Sequence, residues 1–278
     1  MGALSSSTAA WLRLCMSPGV GNATMRRLLA AFSLPENIFD QDFASLAAVV
    51  TQKQAAALLQ EPPDYGAACV ALAAWLDPTQ RWVLTLADAD YPRSLLEMED
   101  PPAMLYVQCQ DRAWWRTWCH LEQAPLLAVV GSRNPTPQGE KNAQALCGAM
   151  VQQGWGIVSG LALGIDAAAH HAALQAQGRT IAVVGTGLDR VYPRQHHALA
   201  HSIVAQGGAI LSEFALGTGP LASNFPRRNR LIAGLAVGTL VVEANLQSGS
   251  LITARLALEQ NKEVFAIPGS IHAPQYKG

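Results

Sequence analysis

Leu126-Leu127-Ala128-Val129-Val130-Gly131-Ser132-Arg133 decides the fold: five apolar residues, then a glycine, a serine and an arginine. Such a run fits a strand buried on both faces. A small turn at its carboxyl end lets backbone N–H groups approach an anion. Just downstream, Thr136 and Pro137 open a helix with Ala143, Leu146, Cys147, Met150 and Val151 on one face, and Gly154 closes it.

The pattern then recurs. Residues 156–159 form the next strand, and the turn Ser159-Gly160-Leu161-Ala162-Leu163-Gly164-Ile165-Asp166 leads into a helix carrying Ile165, Ala168, Ala169, Ala172 and Ala173 at helical spacing. Residues 180–184, 209–211, 240–243 and 263–267 continue it, with further small turns at Gly185-Thr186-Gly187 and Ser248-Gly249-Ser250. Strand–helix alternation predicts an α/β fold with a doubly wound, mostly parallel sheet. Several such turns on one sheet edge point to a phosphate-bearing ligand, either a nucleotide or a nucleic-acid strand.

Upstream, the first 75 or so residues read as helical. Pro18-Gly19-Val20-Gly21 interrupts two apolar-periodic stretches and resembles the turn of a helix-hairpin-helix, which either offers backbone N–H groups to a DNA phosphate or merely packs on its neighbour. Residues 82–86 and 104–107 read as strands separated by Asp90-Tyr91-Pro92 and Asp100-Pro101-Pro102 turns. Trp114, Trp115 and Trp118 form an aromatic cluster that fits packing better than base stacking.

Half of the 278 residues are hydrophobic and 14% are charged, which suits a sheet covered on both faces and excludes global disorder. Net charge is −1, but residues 1–120 carry 8 Lys and Arg against 12 Asp and Glu, whereas 121–278 carry 11 against 8. The half with the small turns is thus the basic half. The five cysteines show no paired spacing and read as reduced thiols of a cytoplasmic protein. No signal peptide and no membrane-spanning run is expected.

The turns match neither G-x-G-x-x-G with a following acid nor G-x-x-x-x-G-K-[ST], which argues against a dinucleotide oxidoreductase and a P-loop ATPase. Arg133 sets a bidentate cation beside free backbone donors, either for a phosphate or carboxylate ligand or for internal pairing with Asp166 or Glu213. Ser223-Asn224-Phe225-Pro226-Arg227-Arg228-Asn229-Arg230 joins three arginines to an aromatic ring, the pairing that single-strand binders use. Cations are disfavoured at a helix start, so they answer an anion, external or supplied by Glu213 or Glu243. Asp166 and His170 lie at i, i+4, where they either touch or serve the helix separately. His196, His197 and His201 lack the companions of a metal site, so neither metal nor cofactor is expected.

In order along the chain stand Val130-Gly131-Ser132-Arg133, Ser159-Gly160-Leu161-Ala162 with Gly164-Ile165-Asp166, Gly185-Thr186-Gly187-Leu188-Asp189 with Tyr192-Pro193, Leu211-Ser212-Glu213, Asn224-Phe225-Pro226, Val242-Glu243-Ala244, Ser248-Gly249-Ser250-Leu251-Ile252-Thr253-Ala254 and Ile267-Pro268-Gly269-Ser270. This series closely resembles the bacterial DNA-processing protein A (DprA, or Smf) family. The resemblance implies an extended Rossmann-like domain over 77–278, preceded by a helical SAM or helix-hairpin-helix-like domain over 1–76. It also implies a homodimer that binds single-stranded DNA, protects it in natural transformation and helps load RecA, without catalytic turnover. Gly131, Ser132, Arg133, Ser159, Gly160, Phe225, Arg227, Arg228, Asn229, Arg230, Ser248, Gly249, Ser250 and Thr253 would form the DNA site. Leu163 stands where many relatives have a basic residue, and the winged-helix domain that many carry is not expected in this chain. A more distant resemblance, to nucleoside-monophosphate phosphoribohydrolases, implies a nucleotide-binding enzyme; but no acid follows Ser248-Gly249-Ser250 until Glu259.

Overall fold

Alternate residues of one strand serve opposite layers of the protein. Leu126, Ala128 and Val130 face one core, while Leu127 and Val129 face another. This is the period-two alternation of a sheet covered on both sides. The computed structural model describes residues 4–121, 125–246 and 248–269.

Six helices come first: α1 (Ser6–Met16), α2 (Asn22–Phe32), α3 (Pro35–Phe39), α4 (Phe43–Ala47), α5 (Gln52–Leu58) and α6 (Tyr65–Trp75). Ser5 caps α1, Asp42 caps α4, and Thr51 with Gln54 forms a capping box on α5. Trp11, Leu14, Leu28, Ile38 and Leu46 bury together with Met104 and Tyr106, so this helical layer shares a core with the sheet. Gly19 takes φ +76° in the turn between α1 and α2, a conformation that favours glycine. Its carbonyl accepts a hydrogen bond from Gln54 Nε2 at 2.8 Å.

The sheet follows with β1 (Arg81–Thr85), α7 (Arg93–Leu96), β2 (Met104–Cys109), α8 (Arg112–Leu121), β3 (Leu126–Gly131), α9 (Pro137–Gln152), β4 (Gly156–Ser159), α10 (Ile165–Gln175), β5 (Thr180–Val183), α11 (His197–Ala205), β6 (Ala209–Ser212), α12 (Asn224–Leu235), β7 (Gly238–Val242), α13 (Gly249–Glu259) and β8 (Glu263–Ala266). The strand order is β1-β2-β6-β5-β4-β3-β7-β8. Strands β3 to β8 run parallel, and β1 and β2 add an antiparallel edge. Helices α9, α10 and α11 cover one face, and α7, α12 and α13 the other.

From β3 the chain winds outward through β4, β5 and β6, then returns to place β7 and β8 on the other side of β3. The connections after β3 and β7 therefore leave in opposite directions. A crevice opens between them at the carboxyl ends of the strands, where open α/β sheets bind their ligands. The tryptophan cluster lies elsewhere: Trp115 is fully buried and its Nε1 donates to the Asp90 carbonyl at 3.1 Å. It packs the antiparallel edge, as its composition suggested.

No described helix is long and apolar enough to cross a membrane. The described part of the Ile267-Pro268-Gly269-Ser270 motif ends at Gly269.

Candidate nucleic-acid interface

The crevice is a cleft of about 590 Å³. One wall is the end of β3 with Val130, Gly131 and Arg133, and the other is the start of α13 with Ser248, Gly249, Ser250 and Thr253. Phe225, Arg228 and Asn229 of α12 close it, together with Tyr192 and Asp166.

Gly131 is required by space: a Cβ there would fall on the Val242 carbonyl and the Ile165 side chain. The loop beyond it is pinned from both sides. Ser132 accepts the Ile165 amide on its carbonyl at 3.1 Å and the Asn134 amide on its hydroxyl at 3.1 Å. Glu243, held at φ +53° just after β7, accepts the Thr136 amide at 2.8 Å and also the Thr136 hydroxyl. Non-glycine residues rarely adopt that backbone region, and strain of this kind clusters at ligand sites.

The pinned loop presents Arg133. It is exposed and makes no ion pair among the described residues, and its guanidinium lies 5.7 Å from the centre of the Phe225 ring. Neither Asp166 nor Glu213 pairs with it. A free cation over an aromatic face, beside helix-start amides, is the arrangement that holds a phosphate and stacks a base. Across the cleft, Ser248 caps α13, accepting the Ser250 amide at 3.3 Å, with the two hydroxyls 2.6 Å apart. Gly249 has open space where its side chain would be, and the positive end of the α13 dipole faces the cleft.

Arg228 lines the floor and is buried. Its Nη1 donates to the Val183 carbonyl, while its Nε has no partner among the described residues. Burial lowers its pKa to about 10, Asp166 opposes that shift, and the like charge of Arg133 adds to it. Asp166 accepts the Gly160 amide at 3.1 Å and the Ala162 amide at 3.2 Å. Burial raises its pKa, and Arg228 and the two amides partly counter this. Asn229 donates to the Gly249 carbonyl at 3.2 Å and so ties α12 to the start of α13.

Residues 82–278 match the family described as DNA recombination-mediator protein A. The chain belongs to that family. Protein Smf of Escherichia coli strain K12 is 48% identical over 204 residues, covering 73% of this chain and 52% of the relative. DNA processing protein DprA of Streptococcus pneumoniae R6 is 44% identical over 187 residues, 67% of this chain and 63% of the relative. The matched part of the chain spans between 37% and 65% of the length of these and other curated relatives. The crystal structure of DprA from Streptococcus pneumoniae superposes with a TM-score of 0.78 at 34% identity, over 99% of this chain and 90% of that one. A structure of DNA processing protein A from Helicobacter pylori, described for its single-stranded DNA binding mode, gives 0.61 at 31% identity, over 71% of this chain and 85% of that one.

Of the residues expected to form the DprA-type site, Gly131, Arg133, Phe225, Arg228, Asn229, Ser248, Gly249, Ser250 and Thr253 line the cleft, and Ser132 adjoins it. The other four do not line it. Ser159 is fully buried and its hydroxyl donates to the Val129 carbonyl at 2.6 Å, because it is still part of β4 and must satisfy itself inside the sheet. Gly160 is also buried; it packs against the Arg228 guanidinium and gives its amide to Asp166. Arg230 is buried and paired internally, donating to Glu213 and to the Asp100 carbonyl at 2.7 Å, while its Nε has no partner among the described residues. Arg227 stays exposed but turns away from the cleft, 3.4 Å from Glu213 and 5.4 Å from the Phe214 ring. The anion that answers these two arginines is internal. Glu213 also receives Asn22 of α2 at 3.5 Å, which draws the start of that helix into the same cluster.

Asp166 and His170 do not touch. His170 is paired through Nδ1 with the Thr180 hydroxyl at 2.7 Å. Among the described residues no group of His, Cys, Asp or Glu is arranged to hold a metal ion. Tyr192 and Asn245, which line the cleft, went unassigned as site residues in the sequence. Tyr192 had one signal, its place seven residues after the Gly185 turn; Asn245 had none.

Proposed function

We propose that this cleft binds single-stranded DNA without strong sequence preference. A phosphate sits between Arg133 and the amides of the 131–133 turn and the α13 start, and a base stacks on Phe225. The observation that carries the reading is the unpaired Arg133 guanidinium poised over the Phe225 ring. Membership of the DprA family and the single-strand binding named for the Helicobacter pylori protein support it. On this reading the protein acts in the cytoplasm as a homodimeric recombination mediator that protects incoming strands during natural transformation and helps load RecA onto them.

We propose no turnover. Asp166, the carboxylate lining the cleft, has its Oδ2 held by two backbone amides and its charge set against the buried Arg228, whereas glycosidic hydrolysis needs an acid free to act at the anomeric carbon. Fluorescence anisotropy of a labelled single strand, with duplex and AMP as competitors, tests both statements. Single-strand preference with strong salt dependence is expected. Displacement by AMP with release of free base would replace this reading with the phosphoribohydrolase one.

A further inference from the structure

Which arginines remain free sets the path of a strand beyond the cleft. Toward Glu213 the cations are already answered, since that carboxylate holds Arg230 and draws Arg227. Toward Tyr192 the surface differs. The Tyr192 ring lies 5.6 Å from that of Phe225, tilted by 41°, and is half exposed. Tyr192 and Pro220 are shared walls: beyond them lies a second cleft of about 540 Å³, completed by Arg190, Val191, Arg194 and His197.

The charges of this second cleft sort themselves simply. Arg190 is closed off by Asp189, Nη2 to Oδ2 at 3.1 Å, and the other oxygen of Asp189 accepts the Gly217 amide at 2.8 Å. Arg194 is exposed, and its side chain makes no hydrogen bond or ion pair among the described residues; only its carbonyl is engaged, by the His197 amide. His197 is exposed beside it in the same wall. An unpaired cation next to a half-exposed aromatic ring, continuous with Arg133 over Phe225, repeats the alternation of ring and cation that tracks a flexible polynucleotide.

We propose that the second cleft is a further subsite for the same single strand: the nucleotide next to the base on Phe225 passes over Tyr192 and sets a phosphate against Arg194. The proposal rests on the single-strand reading of the first cleft.

The test is anisotropy with oligothymidylates from about 4 to about 20 nucleotides, a range that brackets one binding site. It uses wild type, Arg194→Ala, Arg194→Glu and, as an equal charge change remote from the clefts, Arg116→Glu. The Arg194 variants should match wild type within about twofold on the shortest strand, since an exposed contact that strand does not reach costs it little. On the longest they should weaken binding by about threefold (Ala) and about tenfold (Glu). The salt slope of Arg194→Ala on the long strand should fall by about 0.7, one phosphate contact. Arg116→Glu should change neither length by more than about twofold, because exposed charges beyond a Debye length are screened. Arg194 variants that bind the long strand like wild type, or that lose affinity equally at every length, overturn the subsite. Failure of wild type to bind any of these strands instead overturns the reading of the first cleft.

Discussion

The guanidinium of Arg228 occupies the space in which any residue other than glycine at position 160 would carry its Cβ. Gly160 thus serves the cleft indirectly, by making room for a buried cation between Asp166 and the Val183 carbonyl. Gly160→Ala should displace Arg228 and cost about 1–3 kcal/mol in stability, the usual penalty of overpacking. It should also lower single-strand affinity although residue 160 does not line the cleft. Urea unfolding and anisotropy on the same preparation check both effects; an unaltered stability would show that Arg228 has another position available.

Arg230 gives the opposite expectation. It is paired with Glu213 where both side chains are nearly inaccessible to water. Removing one partner of a buried pair leaves the other charge unanswered, so Arg230→Ala should cost about 3–5 kcal/mol. Arg133→Ala, at an exposed and unpaired site, should stay within about 0.5 kcal/mol of wild type. Chemical denaturation of the two variants side by side separates an arginine that holds the fold from one kept free.

How far the sequence could be read follows from the same contrast. The strands were legible because Val, Ile and Leu runs such as 126–130 leave little alternative, and their predicted ends lie within two residues of the observed ones. The order of the strands was not legible, since nothing local states that β7 returns beside β3. Arg133 and Phe225 could be picked out by residue type. Glu213 could be named as one anion able to answer Arg227 and Arg230, but the choice between it, Glu243 and a ligand could not be made, because Glu213 follows β6 and reaches α12 only through the completed sheet. The burial of Ser159 was illegible for a simpler reason: a serine at a strand end looks like a turn residue until its hydroxyl is seen to donate to the neighbouring carbonyl of Val129.

His170 should make the protein acid-sensitive. It is fully buried, and burial, followed by the charges of His171, His196 and Arg228, lowers its pKa from 6.5 to about 3. Between those values the unfolded chain binds a proton that the folded one refuses. Stability is therefore complete above pH 6.5 and falls as pH drops toward 3, by up to about 1.4 kcal/mol per pH unit. His170→Gln keeps a polar group for Thr180 and removes the titration. Its unfolding free energy should change less between pH 7 and pH 4 than that of wild type; parallel pH profiles would assign the sensitivity to other groups.

Phe225 separates stacking from charge. Base–aromatic stacking contributes about 1–3 kcal/mol per base, so Phe225→Ala should weaken single-strand binding by at least about fivefold, whereas Phe225→Trp should retain it. Because no phosphate contact is lost, the salt slope of Phe225→Ala should equal that of wild type, while Arg133→Ala should lower the slope by about 0.7. The ring also supports the Arg133 guanidinium at 5.7 Å, so the two residues are coupled and their losses should not add. A double-mutant cycle on one oligonucleotide over a range of salt concentrations measures this. A double variant that loses no more than Arg133→Ala alone, with slopes falling equally in both single variants, would mean that Phe225 acts only by shaping the loop and that no base rests on it.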